Sequence, residues 1–270
     1  MTQPFDIEKE TYQRFTFSRD GRVLTAAISS DHPVNGVDGL MHEEMARIFS
    51  DLQRDSDSDI VILTGQGRAF CGGGDFDWFD EQITNPARFR DIAWDAKRIV
   101  SSLLELEKPI ICRLNGAAAG LGASIALLCD VIIADEGALI GDPHVKVGLV
   151  AGDGGALIWP QLIGYAKAKE LLMTGDIITA KQAMDLGLIN YAVPTDELDD
   201  RVAELVNKLQ ANPRWAVRWT KTVANIPLRA LAAQVMDAAI GWESVSNFAD
   251  DRKEAVAAMK EKRKPRLTGE

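Results

Sequence analysis

Metal-ligand cysteine spacings, a Walker phosphate loop and a G-x-G-x-x-G dinucleotide fingerprint are all missing from this chain. Their absence removes the usual sequence signs of structural zinc, nucleoside triphosphates and nicotinamide cofactors. Cysteines are few: Cys71, Cys112 and Cys129. An odd count closes no disulfide framework, and these thiols are expected to be reduced and mostly buried. No apolar run approaches the ~20 residues needed to cross a bilayer. Met1 to Tyr12 is polar and acidic and lacks the apolar centre of a secretory signal. Acidic residues outnumber basic ones by 40 to 30, and the formal net charge of −10 gives a surface that repels nucleic acid and anionic lipid over most of its area. The expectation is a cytoplasmic protein with neither nucleic acid nor membrane as partner. Internal repeats, low-complexity tracts and Gly/Ser linkers are also absent.

What remains is an ordinary globular composition. Hydrophobic residues make up 46% of 270, enough for a sizeable core. Residues from Tyr12 to Ser18 alternate in character, and Arg19-Asp20-Gly21 turns into Val23–Ile28, which predicts a hairpin. Met41, Met45, Ile48, Phe49 and Leu52 recur at helical spacing. Ile60–Leu63, Pro109–Leu114 and Val131–Ala134 are short apolar strands, separated by a long helix pattern over Pro86–Leu106 and a small-residue helix over Leu121–Cys129. This alternation predicts parallel βαβ units and an α/β fold. Beyond Ile163 the pattern is almost wholly helical, apart from an extended piece near Ile189–Val193. The expected division is a sheet core over 10–195 and a helical region over 196–270, packed on that core or on a neighbouring subunit.

Two corners combine a strand end, glycines and a following helix: Phe70-Cys71-Gly72-Gly73-Gly74-Asp75, and Asn115-Gly116 through Gly120-Leu121-Gly122-Ala123-Ser124. Backbone N–H groups at such places lack intrahelical partners and face the positive end of the helix dipole. Two of them aimed at one point stabilise an oxygen that becomes negative. Turn geometry and close packing explain the glycines equally well taken singly.

In order along the chain, several motifs together resemble the crotonase (enoyl-CoA hydratase/isomerase) superfamily. They are Ile62-Leu63-Thr64-Gly65 with Arg68 to Asp75, Lys108-Pro109 to Asn115-Gly116, Cys129-Asp130, Gly148-Leu149, Gly154-Gly155, Leu172-Met173-Thr174-Gly175 and the tail Phe248–Arg263. The resemblance implies a spiral of ββα units with a helical C-terminal trimerisation region, assembly as a homotrimer or a dimer of trimers, and an acyl-CoA ligand. It implies no cofactor, coenzyme A being part of the substrate, and no metal. By motif match Gly72 and Leu121 would form the oxyanion hole, with Gly73, Asp75 and Gly120 lining the substrate site.

Family members that hydrate a double bond carry two glutamates, and Ser124 and His144 stand at the matching positions. Water addition needs both a base and an acid, and a serine of ordinary pKa supplies neither. Enolate stabilisation, which lies in the backbone, is untouched. Asp153 follows His144 by nine residues and is open to two readings. It is an N-cap of the helix Ala156–Ile163, or the carboxylate that fixes the tautomer of His144. The His144/Asp153 spacing, with His42 and Glu243, resembles the oxocamphor hydrolase branch, whose reaction cleaves a carbon–carbon bond of a cyclic β-diketone with water. A tryptophan of that branch is replaced by Val37. The basic tail, Lys260, Lys262, Arg263, Lys264 and Arg266, reads either as a solvated end or as a partner for coenzyme A phosphates. The functional readings are therefore C–C hydrolysis or isomerisation with His144/Asp153, hydration with atypical residues, and a non-catalytic binding subunit.

Overall fold

The computed structural model describes residues 5–270, with the side chain of Pro86 excepted. Of the polar N-terminal stretch, Met1–Pro4 lie outside the described residues. Strands β1 (Phe15–Asp20) and β2 (Val23–Ile28) form the hairpin, closed at Gly21 and Arg22. Strand β2 then pairs in parallel with β3 (Ile60–Gly65), followed outward by β5 (Ile110–Leu114), β7 (Val131–Asp135) and β10 (Tyr191–Val193). A second sheet of three-residue strands runs β4 (Ala69–Cys71), β6 (Ala117–Ala119), β8 (Leu139–Gly141), β9 (Ile177–Thr179). Each of β3, β5 and β7 thus feeds a short strand in the second sheet, and β4 and β6 lead directly to helices. This is the ββα spiral.

Alternation along the long strands divides the core in two. Leu24, Val61, Leu63, Cys112 and Ile132 face α1 (Gly39–Arg54) and α3 (Pro86–Glu105), while Val23, Ile60, Ile111 and Ile133 face α7 (Leu198–Gln210). Period-two patterning with both faces covered explains why these strands read as nearly continuous apolar runs. All three cysteines are free and buried.

After Val193 every long element is a helix: α7, α8 (Arg214–Ala224), α9 (Ile226–Asn247) and α10 (Asp250–Lys260). They pack on their own chain. Of the two placements expected for this region, packing on the core is the one found for α9: Met236 and Ile240 enter the main core, and Leu228, Leu231 and Val235 pack against it. The large side chains left exposed lie elsewhere, at Trp215, Trp219 and Val223 on α8 and at Ile226, Trp242 and Val245 on α9.

One buried cation braces the frame. Lys108 donates to the carbonyl of Leu52 at 2.5 Å, to that of Asp55, and to Ser58 Oγ at 3.0 Å. It thereby satisfies the C-terminal end of α1, whose carbonyls have no intrahelical donors. Lys108→Met keeps the volume and strands those carbonyls. It should cost about 3 kcal/mol, read as a lower midpoint of thermal unfolding; an unchanged midpoint would show that solvent replaces the ammonium.

Candidate active site

The two glycine-rich corners meet where the second sheet ends. Strand β4 lies beside β6, pairing Cys71 with Ala118. Helix α4 (Leu121–Leu128) begins at Gly120, whose φ of 54° is left-handed and whose absent side chain leaves room for His144 Cε1, 3.2 Å from where a Cβ would stand. Asn115 and Asn35 tie down the intervening loop. Asn115 accepts from Gly65 N at 3.0 Å, and Asn35 Nδ2 donates to the carbonyls of Gln66 and Ala69 at 2.9 Å each.

The donor expected at Gly72 is not available. Its N–H is spent on the carbonyl of Val34 at 2.8 Å. Val37 bridges the same corner in parallel, donating to Gly73 O and accepting from Asp75 N, which turns the N–H of Gly74 the other way. Among the described residues the N–H groups of Gly73, Gly74 and Leu121 have no oxygen acceptor and all three residues line one cavity, but that of Gly73 is turned toward the Cys71 thiol. The pair of backbone donors is therefore Gly74 and Leu121.

That cavity, about 320 Å³, is walled largely by apolar side chains. His42, Gly72, Gly73, Gly120, Leu121, His144, Asp153 and Glu243, drawn from separate parts of the sequence, all reach it. Two expected residues do not. Asp75 caps α2 (Phe76–Thr84), accepting from Asp77 N and Trp78 N, and its other oxygen meets His32 Nε2 at 3.0 Å. Ser124 is fully buried behind the wall and its hydroxyl lies 3.2 Å from Asp153 Oδ1. It supports a carboxylate rather than facing a substrate.

Asp153 is not a helix cap. Helix α5 (Gly155–Thr174) starts from Gly154 without a side-chain cap. The Asp153 carboxylate is directed instead at His144, with Oδ2 3.3 Å from Nε2. This is an ion-pair contact rather than an aligned hydrogen bond. The short, aligned bond is on the other nitrogen, where Nδ1 meets Asp142 Oδ1 at 2.5 Å. Where Asp153 alone was expected to fix the tautomer of His144, the imidazole stands between two buried carboxylates. Asp142 was not a candidate from sequence, although it stands two residues before His144. The same three side chains are metal-ligand types within 4.8 Å of one another.

The electrostatics follow from this geometry. Burial opposes charge on His144, but the carboxylates of Asp153 and Asp142 outweigh it and hold the ring pKa well above its ordinary value. Burial raises Asp153, and the charge of His144, helped by the Ser124 hydroxyl, brings it below the usual carboxylate range. Glu243 is pushed up to about 8, first by burial and then by the charge of Asp153. It is therefore a neutral acid at pH 7. Helix α9 delivers it across Gly152, where a Cβ would come within 2.6 Å of Glu243 Oε2. His42 falls to about 4 through burial and stays a neutral ring. Its Nδ1 is sealed and unpartnered, and Trp78 of α2 packs 5.3 Å away. That indole and Val37 both line the cavity.

The basic tail is largely committed within the chain. Lys260 pairs with Asp80 and Arg263 with Glu254 and Glu261. The side chains of Lys262, Lys264 and Arg266 have no acidic partner among the described residues. No helix among those residues is long and apolar enough to cross a membrane.

Comparison with known proteins agrees with this architecture. The model of the enoyl-CoA hydratase/isomerase family matches residues 20–270. The short-chain-enoyl-CoA hydratase of Clostridium acetobutylicum is 33% identical, over 91% of this chain and 94% of its own. A solved enoyl-CoA hydratase/isomerase from Mycobacterium paratuberculosis superposes with a TM-score of 0.86 at 33% identity, covering 90% of this chain and 97% of its own. A β-diketone hydrolase from the cyanobacterium Anabaena, solved with (S)-3-oxocyclohexyl acetic acid, gives 0.83 at 30% identity, over 92% and 98%. The chain belongs to the enoyl-CoA hydratase/isomerase family and is an enzyme of the crotonase fold.

The two-carboxylate cradle has a direct spectroscopic consequence. A raised histidine pKa means that the pair contributes stability in full below ~6.5 and loses it as pH rises through the folded value. In a nitrogen-15 imidazole titration His144 should stay doubly protonated well past ~6.5, and Asp142→Asn should bring its titration down. A wild-type His144 that titrates at the free value would disprove the cradle.

Proposed function

We propose that this enzyme hydrolyses a carbon–carbon bond of a β-diketone, a cyclic one fitting the compact apolar cavity best. The observation that carries the reading is His144, part-buried at the cavity wall and oriented through Nδ1 by Asp142, beside the free N–H groups of Gly74 and Leu121. Ser124, at a hydratase glutamate position, is withdrawn behind Asp153. The Anabaena protein, a hydrolase of β-diketones, carries a keto acid of the kind such a cleavage releases.

In this reading the active base is the imidazole that has kept only its Nδ1 proton, held by Asp142. Nε2 takes a proton from water as the water oxygen bonds to one carbonyl carbon. The bond from that carbon to the carbon joining the two carbonyls then breaks. Its electron pair becomes the enolate of the second carbonyl, whose oxygen is held by Gly74 and Leu121 N–H. Glu243, neutral at pH 7, protonates the carbon, and the proton on His144 restores Glu243. Water and substrate supply every atom, so the reaction needs no cofactor. Hydrolysis of a β-keto or cyclic acyl-CoA by the same steps is the second reading. It is favoured by the family and by Lys262, Lys264 and Arg266, left free for phosphates.

Wild-type enzyme given a cyclic β-diketone should release the keto acid, while crotonyl-CoA should stay essentially unhydrated. Hydration at the rate of an ordinary hydratase with no diketone cleavage would overturn the reading. His144→Ala should lower kcat by ~100- to 10,000-fold with little change in substrate binding.

The pH–rate profile should be a bell. The acid limb, where His144 protonates, lies above ~6.5, and the alkaline limb falls near the pKa of about 8 of Glu243. Glu243→Gln should abolish the alkaline limb; its persistence in that variant would assign it to another group.

We also place the enzyme as a homotrimer or dimer of trimers, assembled through the apolar side chains exposed on α8 and α9. Light scattering at micromolar concentration should give three or six chain masses, and a monomer would refute the assembly.

A further inference from the structure

Arg252 on α10 is fully buried and has no carboxylate partner among the described residues. Its Nη1 donates to the carbonyl of Val147 at 2.6 Å, the ring of Phe79 lies 4.5 Å from its guanidinium carbon, and Nε is sealed without a partner. Burial lowers its pKa only to about 10, so it keeps its charge at pH 7. A buried cation costs several kcal/mol unless something offsets it. The remaining contact is Nη2 to Gln82 Oε1, at 3.5 Å.

That contact fixes the orientation of an amide. A guanidinium only donates, so the Gln82 atom facing it must be the oxygen, and Nε2 must point away. Gln82 is a cavity-wall residue on α2, and its backbone carbonyl is pinned by Asn247 Nδ2 at 2.9 Å. Its Nε2 has no partner among the described residues, yet it is not one of the sealed unpartnered atoms, so it opens onto the cavity. The result is an oriented N–H donor in a mostly apolar wall, polarised from behind by a positive charge.

A β-diketone carries two carbonyl oxygens, and the Gly74/Leu121 pair holds one. We propose that Gln82, aimed by Arg252, is the specificity-determining donor for the second acceptor oxygen of the substrate. This rests on the hydrolase reading of the site.

The test is calorimetric binding of three small ligands to the whole enzyme: 3-oxocyclohexylacetate, cyclohexylacetate without the ketone, and 3-ethylcyclohexanone without the carboxylate. Gln82→Leu should weaken the keto acid by roughly 3- to 10-fold, and the loss should vanish for one of the two truncated ligands. Gln82→Glu keeps the size and gives Arg252 a stronger partner while removing the donor. It should show the same pattern with the fold intact. No loss for the keto acid, an equal loss for all three ligands, or no binding of any of them by wild-type enzyme would overturn the assignment. Absence of diketone turnover, measured separately, would overturn the hydrolase reading and leave this binding pattern standing or falling by itself.

Discussion

The candidate site depends on one arrangement: a part-buried imidazole with a buried carboxylate on each side. Two anions cannot share a dry pocket without a compensating charge, and His144 supplies it to Asp142 and Asp153. The rest of the local structure serves that array. Gly120 leaves space for the ring, Ser124 bonds the far oxygen of Asp153, and Gly152 lets α9 bring Glu243 close enough to feel its charge. Burial, and then the charge of Asp153, keep Glu243 protonated. Two carboxyl groups thus acquire opposite roles from position alone.

The fold places these parts by a simple rule. Each long strand of the main sheet passes its chain to a short strand of the second sheet, and the corners beyond those short strands gather at one cavity. The donors at Gly74 and Leu121 belong to the backbone and need no particular side chain. In the proposed reaction these donors would hold an enolate whatever acid–base groups surround it. Those groups depart from a hydratase's: one hydratase position is a serine turned away from the cavity, and the other is the histidine of the cradle.

Much of this was legible in the sequence, for identifiable reasons. The helix through Met41 and Leu52 and the strands at Ile60, Ile110 and Val131 have strong periodicity or apolar runs, which survive as α1, β3, β5 and β7. The second sheet was not legible, because strands such as Ala117–Ala119 are too short to show any alternation. His42, His144, Asp153 and Glu243 were found through resemblance, and they do reach one cavity. Which glycine offers its N–H was invisible, since it depends on Val34 arriving from a distant loop to claim Gly72. Asp142 was hidden by its closeness to His144 across Pro143. Neighbours two apart in sequence rarely suggest a side-chain pair, and a tight turn makes this one.

In the proposed reaction the cradled His144 directs water at a carbonyl carbon. The most direct measurement is hydrolysis of a cyclic β-diketone in oxygen-18 water, with mass spectrometry of the acid formed by wild-type and by Asp142→Asn enzyme in the first turnovers. The account predicts label in the new carboxylate with wild-type enzyme, and a rate of label entry that collapses when Asp142 no longer orients the ring. Label entering the carboxylate equally fast in both would show that the cradle does not drive the reaction.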